Sequence, residues 1–497
     1  MKLQNISYLL LAAFMGGSAM AQDTYDAANF AGSDLNGTAR YVGMGGALSA
    51  LGGDLTVMGT NPAGIGLFRH NEASFGASAI FTDEKGQLGH DATRASIDHA
   101  GVVFALDQDN RGNSGLQYVN FGINYVKKRN HLGNALVNVQ NLEGVFSQSY
   151  QISDMVSQNY DAFGTNYDSW GMLGYMGEPI VTFHDDDGNF LEYTGTPAAS
   201  ALYKRATYGS TSQADFNVSF NVSDKFFYGI TLGVYDLNYR RESFYQEIGM
   251  DETGTPYDFS NWYETDGEGF DLKFGFICRP IDDSPFRFGL AVHTPTWYNL
   301  EDVNGSVAYL DDEPTADPER TDPYEYAYRT PWKFGVSLGH TIDRNFAIGA
   351  EYEYTDYSFA KYDSRDWDND PYFYNINEYT KDALRPVHTF KIGCEYKPID
   401  NFAIRLGYNY VSSPYKNEAY RIIAYDSPFT ETDYTNWKGI NRLTVGLGWR
   451  WNGGYFDLAY QLQTQKGDFY AFDDIDLRPT VIHNDRSQIL ATLGFSF

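Results

Sequence analysis

From residue 71 to its C-terminus the chain alternates apolar and polar positions in one short run after another. In the last run Ile489, Ala491, Leu493, Phe495 and Phe497 fall on one side, and Gln488, Thr492, Gly494 and Ser496 on the other. The same period of two appears in Phe216 to Val222 and Tyr228 to Val234. It returns in 270–278, 286–292, 332–338, 346–354, 390–396, 402–410, 443–449 and 456–462, and three earlier runs lie near 71–82, 94–106 and 116–127. A period of two is the signature of a strand with two unlike faces. These runs predict fourteen strands.

The connections alternate as well. Every second one is short and turn-like: Asp107 to Gly115, Ser223 to Lys225, Pro280 to Pro285, Ile342 to Asn345, Pro398 to Asn401 and Asn452 to Gly454. The intervening ones are long, with 128–212 the longest. Short turns on one side and long loops on the other are the pattern of outer-membrane barrels, whose strands put apolar residues toward lipid and polar or small ones toward the lumen. The fold class that follows is all-β: a 14-stranded antiparallel transmembrane β-barrel at residues 71–497. An even strand count places both ends of the wall in the periplasm. The terminal Phe497 also resembles the signal by which the barrel-assembly machinery recognises such a strand, so that machinery and outer-membrane lipid are expected partners.

Composition fits this reading. Apolar residues make up 42% of the chain, yet it holds 40 Tyr, 34 Phe and 49 Gly, and its mean hydropathy is -0.44. Alternation averages out in a barrel wall, whereas a helical membrane protein needs long apolar runs. The net charge of -29 argues against a nucleic-acid partner, because phosphate contacts need Lys and Arg. Acidic runs such as Asp185 to Asp187 fall in loops. The first of these lacks the closing Glu of a calcium loop. Cys278 and Cys394 are assigned to strands too far apart for a disulfide.

At the N-terminus, Lys2, the apolar run Ile6 to Phe14 and Ala19-Met20-Ala21 form a signal peptide over 1–21. Residues 22–70 then precede the first strand. Fourteen tilted strands enclose a lumen about 25 Å across, too wide for wall side chains alone to fill. This Gly- and Ala-rich segment is therefore expected to plug it.

Within that segment, Gly43-Met44-Gly45-Gly46-Ala47, Gly52-Gly53-Asp54 and Asn61-Pro62-Ala63-Gly64 resemble the hatch of the FadL-type outer-membrane transporters of long-chain fatty acids and other hydrophobic compounds. His293-Thr294-Pro295, Thr330-Pro331-Trp332, Glu351 to Tyr354 and Arg405 to Tyr408 are similar to the Bacteroidetes branch of that family. The resemblance implies hatch residues Gly43, Gly45, Gly46, Asp54, Asn61, Pro62 and Ala63. It also implies passive uptake of a hydrophobic or amphipathic small molecule through an extracellular groove, a lumen pocket, hatch movement and lateral exit beside the third strand. Gly122 is the candidate for a kink at that exit. FadL-like barrels also act as cargo shuttles in type IX secretion, an alternative from a different functional class.

Other candidate chemistry is sparse. Ala135, Val139, Leu142 and Phe146 stand at helical spacing and predict an amphipathic helix in the long loop. Pairing across hairpins sets Glu351 against Lys391, Glu395 against Arg405, and Asp271 near His293. Ion pairing within the lumen is the plain reading of these charges. The sharper one makes Arg405 or Lys391 the partner of a ligand carboxylate. No His pair suits zinc, no G-x-S-x-G appears and the glycine run lacks a dinucleotide pattern. No enzyme, cofactor or metal is expected.

Overall fold

A computed structural model describes residues 22–108, 115–140, 142, 148, 181–184, 190–194, 198–249, 257–310, 313–314, 323–365, 371–422, 431–474 and 476–497. The signal-peptide assignment at 1–21, the Asp185 to Asp187 run and Phe146 lie outside the described residues.

The wall is a closed antiparallel barrel of fourteen strands. They are β1 Glu72–Thr82, β2 Thr93–Asp107, β3 Leu116–Asn130, β4 Ala198–Val222, β5 Phe226–Gly249, β6 Tyr257–Cys278 and β7 Arg287–His293, followed by β8 Lys333–Ile342, β9 Phe346–Asp356, β10 Pro386–Ile399, β11 Phe402–Val411, β12 Tyr434–Trp451, β13 Gly454–Tyr470 and β14 Arg486–Ser496. Each pairs with its neighbour, and β14 closes on β1 from Arg486↔Thr82 to Ser496↔Glu72. All fourteen expected runs fall on these strands. The tight turns lie at one rim: Ser223 and Asp224 both have positive φ, 57° and 53°, the geometry that matches strand twist in a two-residue hairpin.

The alternation sorts outward from inward as expected. Ile230, Leu232 and Val234 of β5 and Leu443, Val445 and Leu447 of β12 are exposed, each next to buried polar or small residues. An apolar belt this extensive is incompatible with water and suited to lipid. Trp449, Trp451, Phe456 and Phe495 gather toward the rim of the tight turns, where aromatic girdles sit. No described helix is long and apolar enough to cross a membrane.

At the opposite end the strands rise well beyond the apolar band. β4, β5 and β6 contain 25, 24 and 22 residues, about twice the roughly 9–11 a tilted strand needs to cross. Strands Gly133–Gln140, Trp297–Leu310, Tyr324–Arg329 and Lys361–Ser364 extend the wall above β3, β7, β8 and β9. This corrects two expectations. Ala135 and Val139 lie on a strand, not a helix: Leu136-Val137-Asn138-Val139 alternates outward and inward, and β-branched residues on a pleat outweigh a chance i, i+4 match. The loop assigned to 128–212 is also shorter, because β3 continues to Asn130 and β4 begins at Ala198.

Residues 22–68 lie inside the barrel. Helix α1 (Thr24–Ala31) stands at the upper end, capped by Asp23, whose carboxylate accepts from the Asp26 amide at 2.7 Å. Helix α2 (Ala39–Gly43) and two 3-10 turns, Leu55–Gly59 and Pro62–Leu67, fill the lower lumen. Gly45, Gly46, Gly52 and Gly53 have φ between +61° and +80°, so the reversals of this segment use backbone that other residues adopt poorly.

Candidate functional site

Glycines in the wall make the hatch fit. Gly339, Gly349, Gly393 and Gly407 stand directly opposite one another across β8, β9, β10 and β11. A Cβ on Gly349 would lie 2.0 Å from the Ala47 carbonyl oxygen, on Gly393 2.1 Å from that of Met44, and on Gly407 2.1 Å from the Gly45 nitrogen. A second flat patch, Gly229 on β5 opposite Gly275 on β6, receives Asn61-Pro62-Ala63. There the Pro62 carbonyl accepts from Ser219 Oγ at 2.8 Å, and Asn61 caps its own turn by accepting from the Ala63 amide. Polar bonds complete the seat. Asp54 accepts from the Thr38 hydroxyl at 2.7 Å, and Arg40 donates to the Gly53 carbonyl at 2.8 Å and to Glu395 at 3.2 Å.

Above the hatch, α1 is tied into the extracellular end. Asp23 pairs with Arg421 at 2.7 Å and Asp26 with Arg241 at 2.9 Å, while Glu431 bridges the two arginines at 3.1 and 2.8 Å. Tyr328 and Tyr362 donate to the carbonyls of Ala27 and Asp23. Tyr25 stacks on Tyr415 with ring centroids 4.9 Å apart. Aromatic bodies with satisfied hydroxyls bury this helix without stranding its backbone.

Between these two anchorages lies a cavity of about 240 Å³ lined by Tyr25, Tyr239, Tyr415, Tyr434 and Trp437 and by several arginines. A second, of about 150 Å³, runs down between hatch and wall past Lys128, Lys273, His293 and Lys333. The two meet at a neck where Asp34, Tyr357, Val387, Val411 and Arg442 line both. Arg486 approaches Asp34 to 2.8 Å and Arg442 to 3.9 Å. Burial alone would raise the Asp34 carboxyl, but Arg486, Arg129 and Arg442 outweigh it and hold it well below the ordinary carboxylate range.

The wall has a seam beside the same neck. β2 and β3 pair only from His99↔Val126 to Asp107↔Tyr118. The register between β1 and β2 slips there, Gly76 facing His99 and Ala77 facing Ile97, so that Asp98 is bulged and β2 bends. Above that point hatch residues take over the β3 backbone. Asp34 donates its amide to the Lys128 carbonyl at 2.9 Å, and its carboxylate accepts from the Asn130 amide at 3.0 Å. Asn36 donates to the Lys127 carbonyl at 3.0 Å and to the bulged Asp98 at 2.9 Å.

These positions correct several expectations. Gly122 is not at a break: it pairs with Val103 on one side and Asn217 on the other, and a Cβ there would meet Met58 Cε at 2.2 Å. Its missing side chain admits the hatch, and the unpaired stretch begins higher, where a bulge rather than a lone glycine bends the wall. Lys391 bonds Glu351 at 2.8 Å and Glu353 at 2.7 Å, as the hairpin register required. Arg405 is fully buried and held by Glu395 at 2.7 Å and Asp457 at 2.6 Å. Both cations are thus paired with wall carboxylates, the plain ion pairing within the lumen. His293 turns to the Thr60 carbonyl at 2.8 Å, while Asp271 bonds Lys273 and Tyr235. Cys278 and Cys394 are free thiols.

Sequence reasoning missed Asp34, Asn36, Asp98, Arg129, Arg442 and Arg486. Arg442 shares the inward phase of Thr444 and Gly446, and Arg486 that of Gln488, so two arginines in the lumen were deducible. That Asp34 would be their partner was not, because nothing local in 22–70 fixes how the segment is threaded.

No protein-family model and no curated protein matches the sequence. Among solved structures, a Pseudomonas aeruginosa FadL homologue is 14% identical over 94% of this chain and 99% of its own, with a TM-score of 0.52. The toluene transporter TodX of P. putida is 13% identical over 93% and 99%, with a TM-score of 0.49. The monoaromatic hydrocarbon channel CymD is 12% identical over 94% and 98%, with a TM-score of 0.48. At such identities the likeness is one of fold. By its closed wall, its lipid-facing belt and the hatch seated within it, the chain has the fold of the FadL-type outer-membrane barrels.

Proposed function

We propose that this barrel carries hydrophobic or amphipathic small molecules, of the long-chain fatty acid type, passively across the outer membrane. The observation that carries the reading is the filled lumen: the hatch occupies it, and cavities of about 240 and 150 Å³ that share lining residues lie between hatch and wall. A pore for bulk water or large hydrophilic solutes would need the lumen clear. Small cavities lined by tyrosines and cations suit a molecule with an apolar body and a polar end. Transfer of an apolar chain from water to protein and then to lipid runs downhill at about 25 cal/mol per Å² of apolar surface, so no energy coupling is required. The β2–β3 seam, latched by Asp34 and Asn36, is the proposed point of lateral exit, with hatch movement as the step that frees it.

Uptake of radiolabelled oleate by a deletion strain tests this. Uptake should fall in the deletion and return with the wild-type gene. Uptake unchanged by the deletion, with secreted proteins accumulating in the periplasm, would favour the cargo-shuttle reading instead.

A further inference from the structure

The neck between the two cavities is lined by an acid and a base, Asp34 and Arg442. Asp34 faces Arg486 and Arg442 with one carboxylate oxygen and the Asn130 amide with the other. Arg129 lies close by and donates to the Asn29 carbonyl at 2.5 Å. One carboxylate thus pairs with two guanidinium groups and feels the charge of a third. Among the described residues, the other bonds of those arginines go to neutral oxygens: Arg442 to Gln463 and Asn409, and Arg486 to Gln463 and the Asn130 carbonyl. The cluster therefore carries an excess positive charge that one more anion, or a better-placed one, would satisfy. On the far side of the neck, Lys128 and Lys333 line the second cavity. Lys128 rests over the Tyr235 ring, 4.6 Å from its centroid, and neither lysine makes an ion pair among the described residues.

We infer that Asp34 is a displaceable counter-ion, and that the anionic head group of an amphiphile entering the first cavity takes its place on Arg129, Arg442 and Arg486. This inference rests on the transport reading above and adds to it a ligand charge and a trigger. The same carboxylate holds three things together: the arginines, the neck and the upper edge of β3. Its departure therefore opens the path to Lys128 and Lys333 and releases the Asn130 amide at the seam in one movement. A neutral molecule of the same chain length occupies the cavity without undoing the latch. A ligand shifts such an equilibrium only by its differential affinity for the two states, and here that difference is the charge of its head group.

Dodecanoate and dodecanol, added to the full-length barrel in a zwitterionic detergent, test the inference. Hydrogen exchange at the Asn130 amide should rise at least about tenfold with saturating dodecanoate, a shift of about 1.4 kcal/mol, and stay unchanged with dodecanol. Asp34→Asn, which removes the competitor, should bind dodecanoate about tenfold more tightly and dodecanol as before. Arg486→Gln should weaken dodecanoate alone, and it serves if the first variant fails to give a folded, heat-modifiable barrel. Asn130 protection that survives saturating dodecanoate, or an Asp34→Asn barrel that binds it no more tightly, would overturn the inference while leaving the transport reading in place. Binding of neither compound would instead remove the transport reading itself.

Discussion

Replacing Gly349, Gly393 and Gly407 together by alanine should unseat the hatch and leave the wall intact. The three added Cβ atoms would lie 2.0, 2.1 and 2.1 Å from hatch backbone atoms, whereas ordinary contact begins at 3.4 Å. The shortfall is 3.4 less 2.0 or 2.1, that is 1.3–1.4 Å at each of three adjacent points. Hatch backbone cannot swing aside as a long side chain would, so the segment Met44 to Ala47 must withdraw as a unit. Overpacking of this kind costs about 1–3 kcal/mol per site. The three together reach roughly 3–9 kcal/mol if they add, and less where neighbouring sites relax jointly. About 5.5 kcal/mol suffices to turn a 99:1 preference for the seated state into 1:99. In a planar bilayer the wild-type barrel should conduct little and the triple variant should show frequent openings. Gly335→Ala is the matched control, because its Cβ would meet only Ala291, at 3.6 Å. A triple variant that folds by heat-modifiable mobility and stays as closed as Gly335→Ala would refute the seating argument.

Other outcomes follow from the same contacts. Deleting residues 22–70 should convert the barrel to a steady ion-conducting pore in the same bilayer assay; unchanged conductance would mean the segment does not block the lumen. Because the arginines depress the Asp34 carboxyl, the stabilisation it gives is fully present above the ordinary carboxylate range and is lost only as pH falls through its lowered value. Protection of the Asn130 amide should therefore be the same at pH 7 and pH 4.5, and an early loss between them would contradict the pairing. Asn61→Ala removes a turn cap and a bond at 3.4 Å to the Phe276 carbonyl, and should loosen the lower hatch by about 0.5–2 kcal/mol, measured as faster exchange over 61–66. Removing Phe497, whose amide donates to the Asn71 carbonyl at 3.1 Å, should lower the yield of folded barrel in cells and spare refolding in detergent.

The wall was legible because its two signals are local. A strand's faces are written in every second residue, as in Ile489, Leu493 and Phe495 of β14, and a tight turn in one or two residues such as Asn452-Gly453. The pairing of Glu351 with Lys391 followed from hairpin register alone. The interior was less legible because its contacts join residues far apart in the chain. Asp34 to Arg486 spans nearly the whole sequence, and no periodicity encodes it. Gly122 illustrates the difference: as a lone glycine in the third strand it is a natural candidate for a kink. In the barrel the glycine is a recess for Met58, and the actual bend depends on Asp98 one strand away. The glycines of β8 to β11 carry no local signal of their role, which comes from their common level in the wall, where they make a flat bed.

The meeting of β1 with β14 carries a consequence for the order of assembly. The hatch precedes the first strand in the chain, yet the ring that holds it closes only through the last one. Its beds lie on two parts of the wall: β5 and β6 offer Gly229 and Gly275 to Asn61-Pro62-Ala63, and β9 to β12 receive Gly43 to Ala47. Arg486, the first residue of β14, supplies the ion pair to Asp34. Completion of the ring and setting of the latch thus depend on one and the same strand. Pairings of such long range are slow to form, so a barrel halted before β14 would be open at its side and unlatched at its neck.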